Sequence, residues 1–228
     1  MTTLECTVTT VGVITLVATG TCTINASQGG NSTFAAASTV SQSFTVTAVG
    51  YAIGVTGPGG GIVFYDAGSD QSWGRYLEAA PSGWFGTLGE TADPAGLQWK
   101  INGVNCKDDV VAITGAVGTA IGTGRANTTA ITVACTAEIA RAAWAARAYS
   151  PVVSGVTIND WFLPSKDELN QLFLERAVVG GFDLTKSYWS SSQSVGTANN
   201  AWRHGFSSGI TDEREKGFGF LVRPVRAF

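Results

Sequence analysis

Apolar and polar positions alternate through the first part of the chain. In "ECTVTTVGVITLVATGTCTINA", Glu5 to Ala26, β-branched and small residues take turns, with Gly12 and Gly20 as breaks. "QGGNSTFAAAS" then reads as a loop and "TVSQSFTVTAV" as another alternating strand. Beyond Tyr51 the pattern changes. The glycine-rich "TGPGGGIVFYD" predicts a tight turn feeding a strand from Gly61 to Tyr65, and "RYLEAAP" predicts a strand from Arg75 to Ala80. Pro81 to Trp99 has no period and is rich in Trp and Gly.

Two later stretches switch to helical spacing. Ile131, Cys135, Ile139, Ala142 and Ala146 fall on one face of a helix predicted over Thr128 to Tyr149, with Asn127 as its N-cap. Ser165 and Glu168 form a Ser-x-x-Glu capping box for a second helix. Leu169, Leu172 and Phe173 make its buried stripe, and Gly180-Gly181 stop it. "SYWSSS", "AWRHGF" and "FLVRPVRAF" then predict short strands. The fold class expected is α+β, with two helices flanking antiparallel strands. Trp161, Trp189 and Trp202 are expected in its core. Arg223 and Arg226 are expected to pair with carboxylates around an edge strand at Pro224.

Composition divides the chain. All 14 basic residues and 14 of the 17 acids lie from Arg75 onward. The preceding residues carry only Glu5, Asp66 and Asp70. We therefore expect a β module over 1–49 and a main domain over 50–228. The net charge of -3 sets up no field for nucleic acid or anionic membrane. The sequence has no apolar run of about 18 residues, so no membrane insertion is expected. The opening residues do not read as a signal peptide, and a piece of a longer protein is the expectation.

The four cysteines, Cys6, Cys22, Cys106 and Cys135, lack zinc-site spacing, and His204 is the single histidine. No metal or cofactor is expected. Two disulfides, Cys6–Cys22 and Cys106–Cys135, stand against four buried thiols as the alternative. The glycine-rich turn lacks the Lys-Ser/Thr of a phosphate loop. His204 reads as a surface contact rather than a catalytic base, and no catalytic residue is expected. Asp108-Asp109 reads as a solvated loop. Asp212 to Lys216, "DEREK", reads equally as an exposed turn or as a partner contact.

Two resemblances add to this. Cys6–Val8, Gly20–Ile24, Gln28–Asn31 and Ser41–Val46 are similar to the second half of bacterial immunoglobulin-like repeats. This implies a partial β-sandwich whose first strands would lie upstream, since a full one needs about 100 residues. From Thr56 to Phe228, "GPGGGIVFYDAG", "GRYLEAAP", "IGTGRANTTAI", "DWFLPSKDELNQLF", "YWSSSQ", "NNAW" and "VRPVRAF" occur in order. These blocks resemble the C-terminal domain family of collagen-like bacterial adhesins. That resemblance implies a C-type lectin-like fold of the formylglycine-generating-enzyme branch, with adhesion or recognition on bacterial surfaces or phage. The calcium-dependent sugar motifs and the two-cysteine catalytic arrangement of those relatives are absent.

The domain is also similar to the variable proteins of diversity-generating retroelements, which vary residues near the C-terminus within a kept frame. The resemblance implies a frame of Trp189, Ser190, Ser191, Ala201, Trp202, Phe206, Gly209, Lys216 and Val222 to Phe228. It implies ligand-binding positions at Ser194, Val195, Thr197, Asn199, Arg203, His204, Gly205, Ser208, Ile210, Asp212, Arg214, Gly217, Phe218, Gly219 and Phe220. Their side chains are expected to face solvent. The expected function is non-enzymatic recognition of a protein or glycan ligand on another cell or host surface, outside the cell or at a phage tail tip. The alternative is a carbohydrate-binding adhesin with a fixed target, and a glycan-processing enzyme using Asp108, Asp109 or Asp160 is a third class.

Overall fold

In the computed structural model the described residues are 5–47, 50–85, 96–101, 112–137 and 139–228. They fall into two compact units, Met1–Gly50 and Tyr51–Phe228.

The first unit is two hairpins. β1 (Cys6–Val8) pairs with β2 (Ile14–Leu16), and β3 (Gly20–Gln28) pairs with β4 (Ala37–Val46), both antiparallel. Alternation gives the longer hairpin two unlike faces. One bears Cys22, Ile24, Val40 and Phe44. The other is a polar ladder, with Thr23 against Ser43 at 2.8 Å and Ser41 donating to Asn25 at 2.7 Å. The Cys6–Cys22 disulfide pins β1 to β3. Among the described residues of this unit only Cys22 is buried.

The second unit carries the core. β5 (Ile62–Gln71), β6 (Gly74–Ala79) and the last strand, β14 (Val225–Ala227), form a sheet with β6 in the middle. β7 (Leu97–Gln98) pairs with β13 (Gly219–Phe220). α1 (Gly124–Ala134), α2 (Arg141–Ala148), the small hairpin of β8 (Val152–Val153) and β9 (Val156–Thr157), α3 (Lys166–Leu174) and α4 (Arg176–Val179) come next. β10 (Ser187–Gln193), β11 (Asn200–Gly205) and β12 (Thr211–Glu215) then form an antiparallel meander. The class is α+β. One apolar cluster joins Trp99, Ile131, Ala142, Ala146, Trp161, Trp189 and Val222. A second joins Phe64, Leu77, Leu169, Leu172, Tyr188, Phe206 and Val225.

The capping box forms as predicted: Glu168 N donates to Ser165 Oγ, and Ser165 N donates to Glu168 Oε2 at 2.7 Å. Several expectations are corrected. The helix predicted over 128–149 is two helices. It breaks after Ala134, where the carbonyl of Cys135 accepts from Trp144 Nε1 at 2.7 Å. Asn127 is not a cap. It lies inside α1 with its amide turned inward, pairing with the Gly118 backbone through both ends. Gly180-Gly181 close the additional turn α4 rather than α3 itself. "DEREK" is mostly strand β12, not a turn. Trp202 is half-buried rather than core, with Lys166 Nζ 4.6 Å from its ring centre. Arg226 holds Glu78 (2.8 Å) and Asp160 (2.5 Å), whereas Arg223 donates to the carbonyls of Ala80 and Gly181. Cys135 is disulfide-bonded, while Cys106 lies outside the described residues, as do Asp108 and Asp109.

The glycine-rich turn does cradle an anion, but one of the protein's own. Gly59 N and Gly61 N donate to the buried Glu78 carboxylate at 2.9 and 3.0 Å. A Cβ at Gly57 or Gly59 would strike that carboxylate, which is why glycines stand there. With Arg226 the turn satisfies a buried charge that would otherwise be costly.

Candidate functional site

The segment from Ser194 to Phe220 is more regular than its composition suggests. It holds β11, β12 and β13 with the loops between them. β10 backs the meander, and its polar residues fasten the loops from inside. Gln193 N donates to the Ala116 carbonyl at 2.7 Å. Gln193 Oε1 accepts from Ile113 N at 2.8 Å and from Lys216 Nζ at 2.6 Å. Lys216 Nζ also donates to the Ala198 carbonyl at 2.6 Å and lies 4.5 Å from the Trp99 ring centre. Burial, helped by the charge of Lys100, pulls the Lys216 ammonium down to about 7. Lys216 thus joins the β10–β11 loop to the end of β12. Ser192 Oγ donates to the Gly118 carbonyl at 2.6 Å and accepts from Lys166 N at 2.9 Å, locking β10 to α3.

Pairing between β11 and β12 decides which side chains share a face. Ala201 stands opposite Arg214 and Arg203 opposite Asp212, while His204 stands opposite Thr211. On the first face Asp212 is shared by two guanidiniums, Arg203 Nε at 2.8 Å and Arg214 Nη2 at 2.7 Å. Arg203 lies over the Phe220 ring and bonds Ser187 Oγ. Phe220 packs edge-on against Trp189 at 4.7 Å, and Phe218 stacks beyond it at 6.3 Å, half-exposed. The buried Trp189 therefore supports a layer of Arg203, Asp212 and Phe220, with Arg214 and Phe218 outermost. A groove of about 350 Å³ runs beside it, lined by Lys186, Ser187, Gly219 and Phe220.

The sequence-predicted positions divide into four groups. Val195, Thr197 and Asn199 are exposed on the β10–β11 loop, and Val195 is 85% exposed. Hydrogen bonding through Lys216 puts this loop beside Arg214, Gly217 and Phe218. Ser208 and Ile210 are exposed in the β11–β12 turn, at the opposite end of the meander. Arg203, Asp212 and Phe220 are half-buried on the shared face.

Ser194, His204, Gly205 and Gly219 do not present solvent-facing side chains. Ser194 is buried and accepts from the backbone of Gly196 and Thr197, fixing the loop. His204 is 1% exposed, on the far face against Phe173 at 4.4 Å, with Nδ1 bonded to Thr211 Oγ1 at 2.8 Å. Burial, with Arg176 and Arg203 adding to it, pushes its pKa down to about 4. A Cβ at Gly219 would lie 2.6 Å from Gly96 Cα, and one at Gly205 would lie 2.8 Å from Ser208 Oγ. Sequence reasoning missed Lys186 and Ser187. Ser187 stands opposite Gly205 in the register, a relation visible only once the strands are aligned.

The Lcl C-terminal domain family matches residues 91–226, which include every one of these positions. The chain belongs to this family. Membership agrees with the adhesin family named from the sequence blocks and points to a ligand-binding or adhesin-type domain. No curated protein matches the chain. Within this Lcl C-terminal domain, no three His, Cys, Asp or Glu side chains among the described residues gather to hold a metal. Asp160 is engaged by Arg125 at 3.2 Å as well as by Arg226.

Proposed function

We propose that the second unit is a non-enzymatic recognition domain with a C-type lectin-like fold, and that retroelement diversification acts on its C-terminal segment. One observation carries this reading. Exposed positions at Val195, Thr197, Asn199, Ser208, Ile210, Arg214 and Phe218 alternate with buried anchors at Ser194, His204 and Lys216. Side chains at the exposed positions can change with little effect on folding, because they contribute little to the core. Arg and aromatic residues among them supply binding anchors. The ligand is a protein or glycan on another cell or host surface, met outside the cell or at a phage tail tip, with no nucleic acid and no membrane insertion. The first unit is read as part of an immunoglobulin-like spacer.

His204 is buried on the far face and Asp160 is doubly paired, so neither is placed as a free base; this supports the non-enzymatic reading. The test compares the nucleotide sequence of the last segment across neighbouring copies of the gene. Changes concentrated in the codons of the exposed positions, sparing Gln193, Ala201, Lys216 and Val222, are expected. An invariant segment, or changes spread evenly over both sets, overturns diversification. A fixed-target carbohydrate adhesin is the second reading. It is favoured by the parallel Phe218–Phe220 pair, whose outer ring is 53% exposed and suits stacking on a sugar. Selective glycan-array binding lost in Phe218→Ala would favour it.

A further inference from the structure

Sheet edges elsewhere in the second unit are closed by neighbouring backbone. The outer edge of β5 bonds to Gly54 and Val55, that of β14 to Phe162, and that of β10 to Leu221, Pro164 and Ala116. β12 differs. It ends the β10–β11–β12 meander, and among the described residues no strand pairs with its far side.

The ladder shows which groups that edge presents. Gly205 N donates to the Ile210 carbonyl at 2.8 Å, and Lys216 N to the Asn199 carbonyl at 2.9 Å. Inward and outward residues alternate in an antiparallel pair. Asp212 and Arg214 therefore bond inward to β11, and the backbones of Thr211, Glu213 and Glu215 face out. Two of the outward carbonyls are engaged, Glu215 O by Phe218 N at 3.1 Å and Glu213 O by Arg214 Nη1 at 3.0 Å. The three outward N–H groups have no acceptor among the described residues. The edge is a row of donors waiting for carbonyls.

Side chains along the edge carry a pattern of charge. Asp212 and Arg214 lie on one face, where Arg203 and Arg214 share the single carboxylate and leave a positive charge over. Glu213 and Glu215 lie on the other, without an ion pair among the described residues. Charges of this kind turn away indiscriminate pairing. They also exclude a second copy of the chain. Antiparallel registers that overlap β12 with itself set Glu213 opposite Glu213 or Glu215, or Asp212 opposite Asp212, and like charges directly opposite destabilise.

We infer that β12 is a docking edge for an extended segment of a partner protein, which joins the meander as a further strand with basic side chains opposite Glu213 and Glu215 and an acidic one opposite Arg214. Strand addition takes affinity from main-chain bonds and specificity from alternate side chains. The donors at Thr211, Glu213 and Glu215 persist whatever residues occupy 212 and 214, so a changeable face keeps a constant grip. The inference rests on the recognition reading above and narrows its ligand to a protein.

Amide NMR of the full chain tests it. In the free protein the amides of Thr211, Glu213 and Glu215 should exchange with solvent faster than those of Asp212 and Arg214. The probe is the peptide acetyl-Lys-Glu-Lys-Val-Thr-amide, with acetyl-Glu-Lys-Glu-Val-Thr-amide as the charge-exchanged control. Saturable shifts and slowed exchange at the three outward amides are expected with the probe and not with the control. Glu213→Pro removes one outward N–H at a place where an edge strand tolerates proline, and Glu213→Gln keeps it. Half-saturation should rise about tenfold more in the first variant than in the second. Should Glu213→Pro not fold, the free-chain exchange pattern and the two peptides decide. Equal protection all along β12, no shift up to millimolar peptide, or equal binding of both peptides overturns the proposal. Shifts confined to Val195 and Phe218 also overturn it, while leaving side-chain recognition by the face in place. Diversification stands or falls separately, on the codon comparison.

Discussion

Val195 and Gln193 are two residues apart, yet one is 85% exposed and the other 3%. Gln193 fastens two backbone groups and Lys216, while Val195 lies on the surface. The same contrast recurs between Phe218 and Lys216, and between Ile210 and His204. The meander is thus two interleaved populations, one holding the backbone and one presenting side chains. What separates them is register, not residue type. The buried set is largely polar and the exposed set includes Val, Ile and Phe. The exposed set can therefore change its chemistry with little effect on the fold, because the core makes little use of those atoms.

Four measurements can break or sharpen this contrast. Trp189→Ala removes the ring beneath Phe220 and opens a cavity in the first core. Urea unfolding should show a loss of about 3–5 kcal/mol. The second is a pH effect on His204. Its folded pKa, about 4, lies below the ordinary 6.5, so its contribution to stability is whole above pH 6.5 and is lost as pH falls toward 4. The loss is on the order of 3 kcal/mol at most. Glu168 opposes it. Burial raises its carboxyl to about 7 against the pull of the Ser165, Gly122 and Gly124 backbone N–H groups, so its contribution fades as pH rises from 4.5 through 7. Chemical unfolding from pH 4 to 7.5 should show the stability gap between the wild type and His204→Gln narrowing toward acid. A constant gap would place His204 at the surface.

Third, Gly219→Ala forces a methyl against the Gly96 backbone. It should cost about 1–3 kcal/mol in thermal unfolding, marking Gly219 as frame. Fourth, Ile210→Ser and Arg214→Ala should each shift stability by no more than about 0.5 kcal/mol, with unchanged circular dichroism. Large losses there would remove the distinction altogether.

Much of the scaffold was legible in the sequence. The Ser165–Glu168 box announces α3 because a cap is local chemistry written in four consecutive residues. The strands predicted from Gly61 to Tyr65, from Arg75 to Ala80 and in "SYWSSS" were legible because their residues favour extended backbone, whereas the run of β5 on to Gln71 was not, since Asp66 to Gln71 lacks such residues and is extended through pairing with β6. β12 was not, since Thr-Asp-Glu-Arg-Glu has no apolar alternation; it is a strand because it pairs with β11 and because Arg203 meets Asp212 across the ladder. The break between α1 and α2 was hidden because Ile131, Cys135 and Ile139 keep helical spacing across it. Asn127 looked like a cap because Asn favours caps, but Gly118, distant in spacing and invisible to any local rule, claims its amide. At the candidate site, sequence found most of the exposed positions and misplaced His204. A histidine after Trp-Arg gives no sign of which face it takes until strand register is fixed.

The position of β14 has a consequence for faulty copies. This strand hydrogen-bonds along β6 after the whole variable-looking segment has been made, with the Phe228 backbone clasping Arg75 and Tyr76 and Arg226 neutralising Glu78. A ribosome that stops anywhere between 194 and 220 releases a chain with an open sheet and an orphaned buried acid. The core sheet is therefore closed by residues made after the segment it supports, so that order of synthesis and order of assembly run in opposite directions.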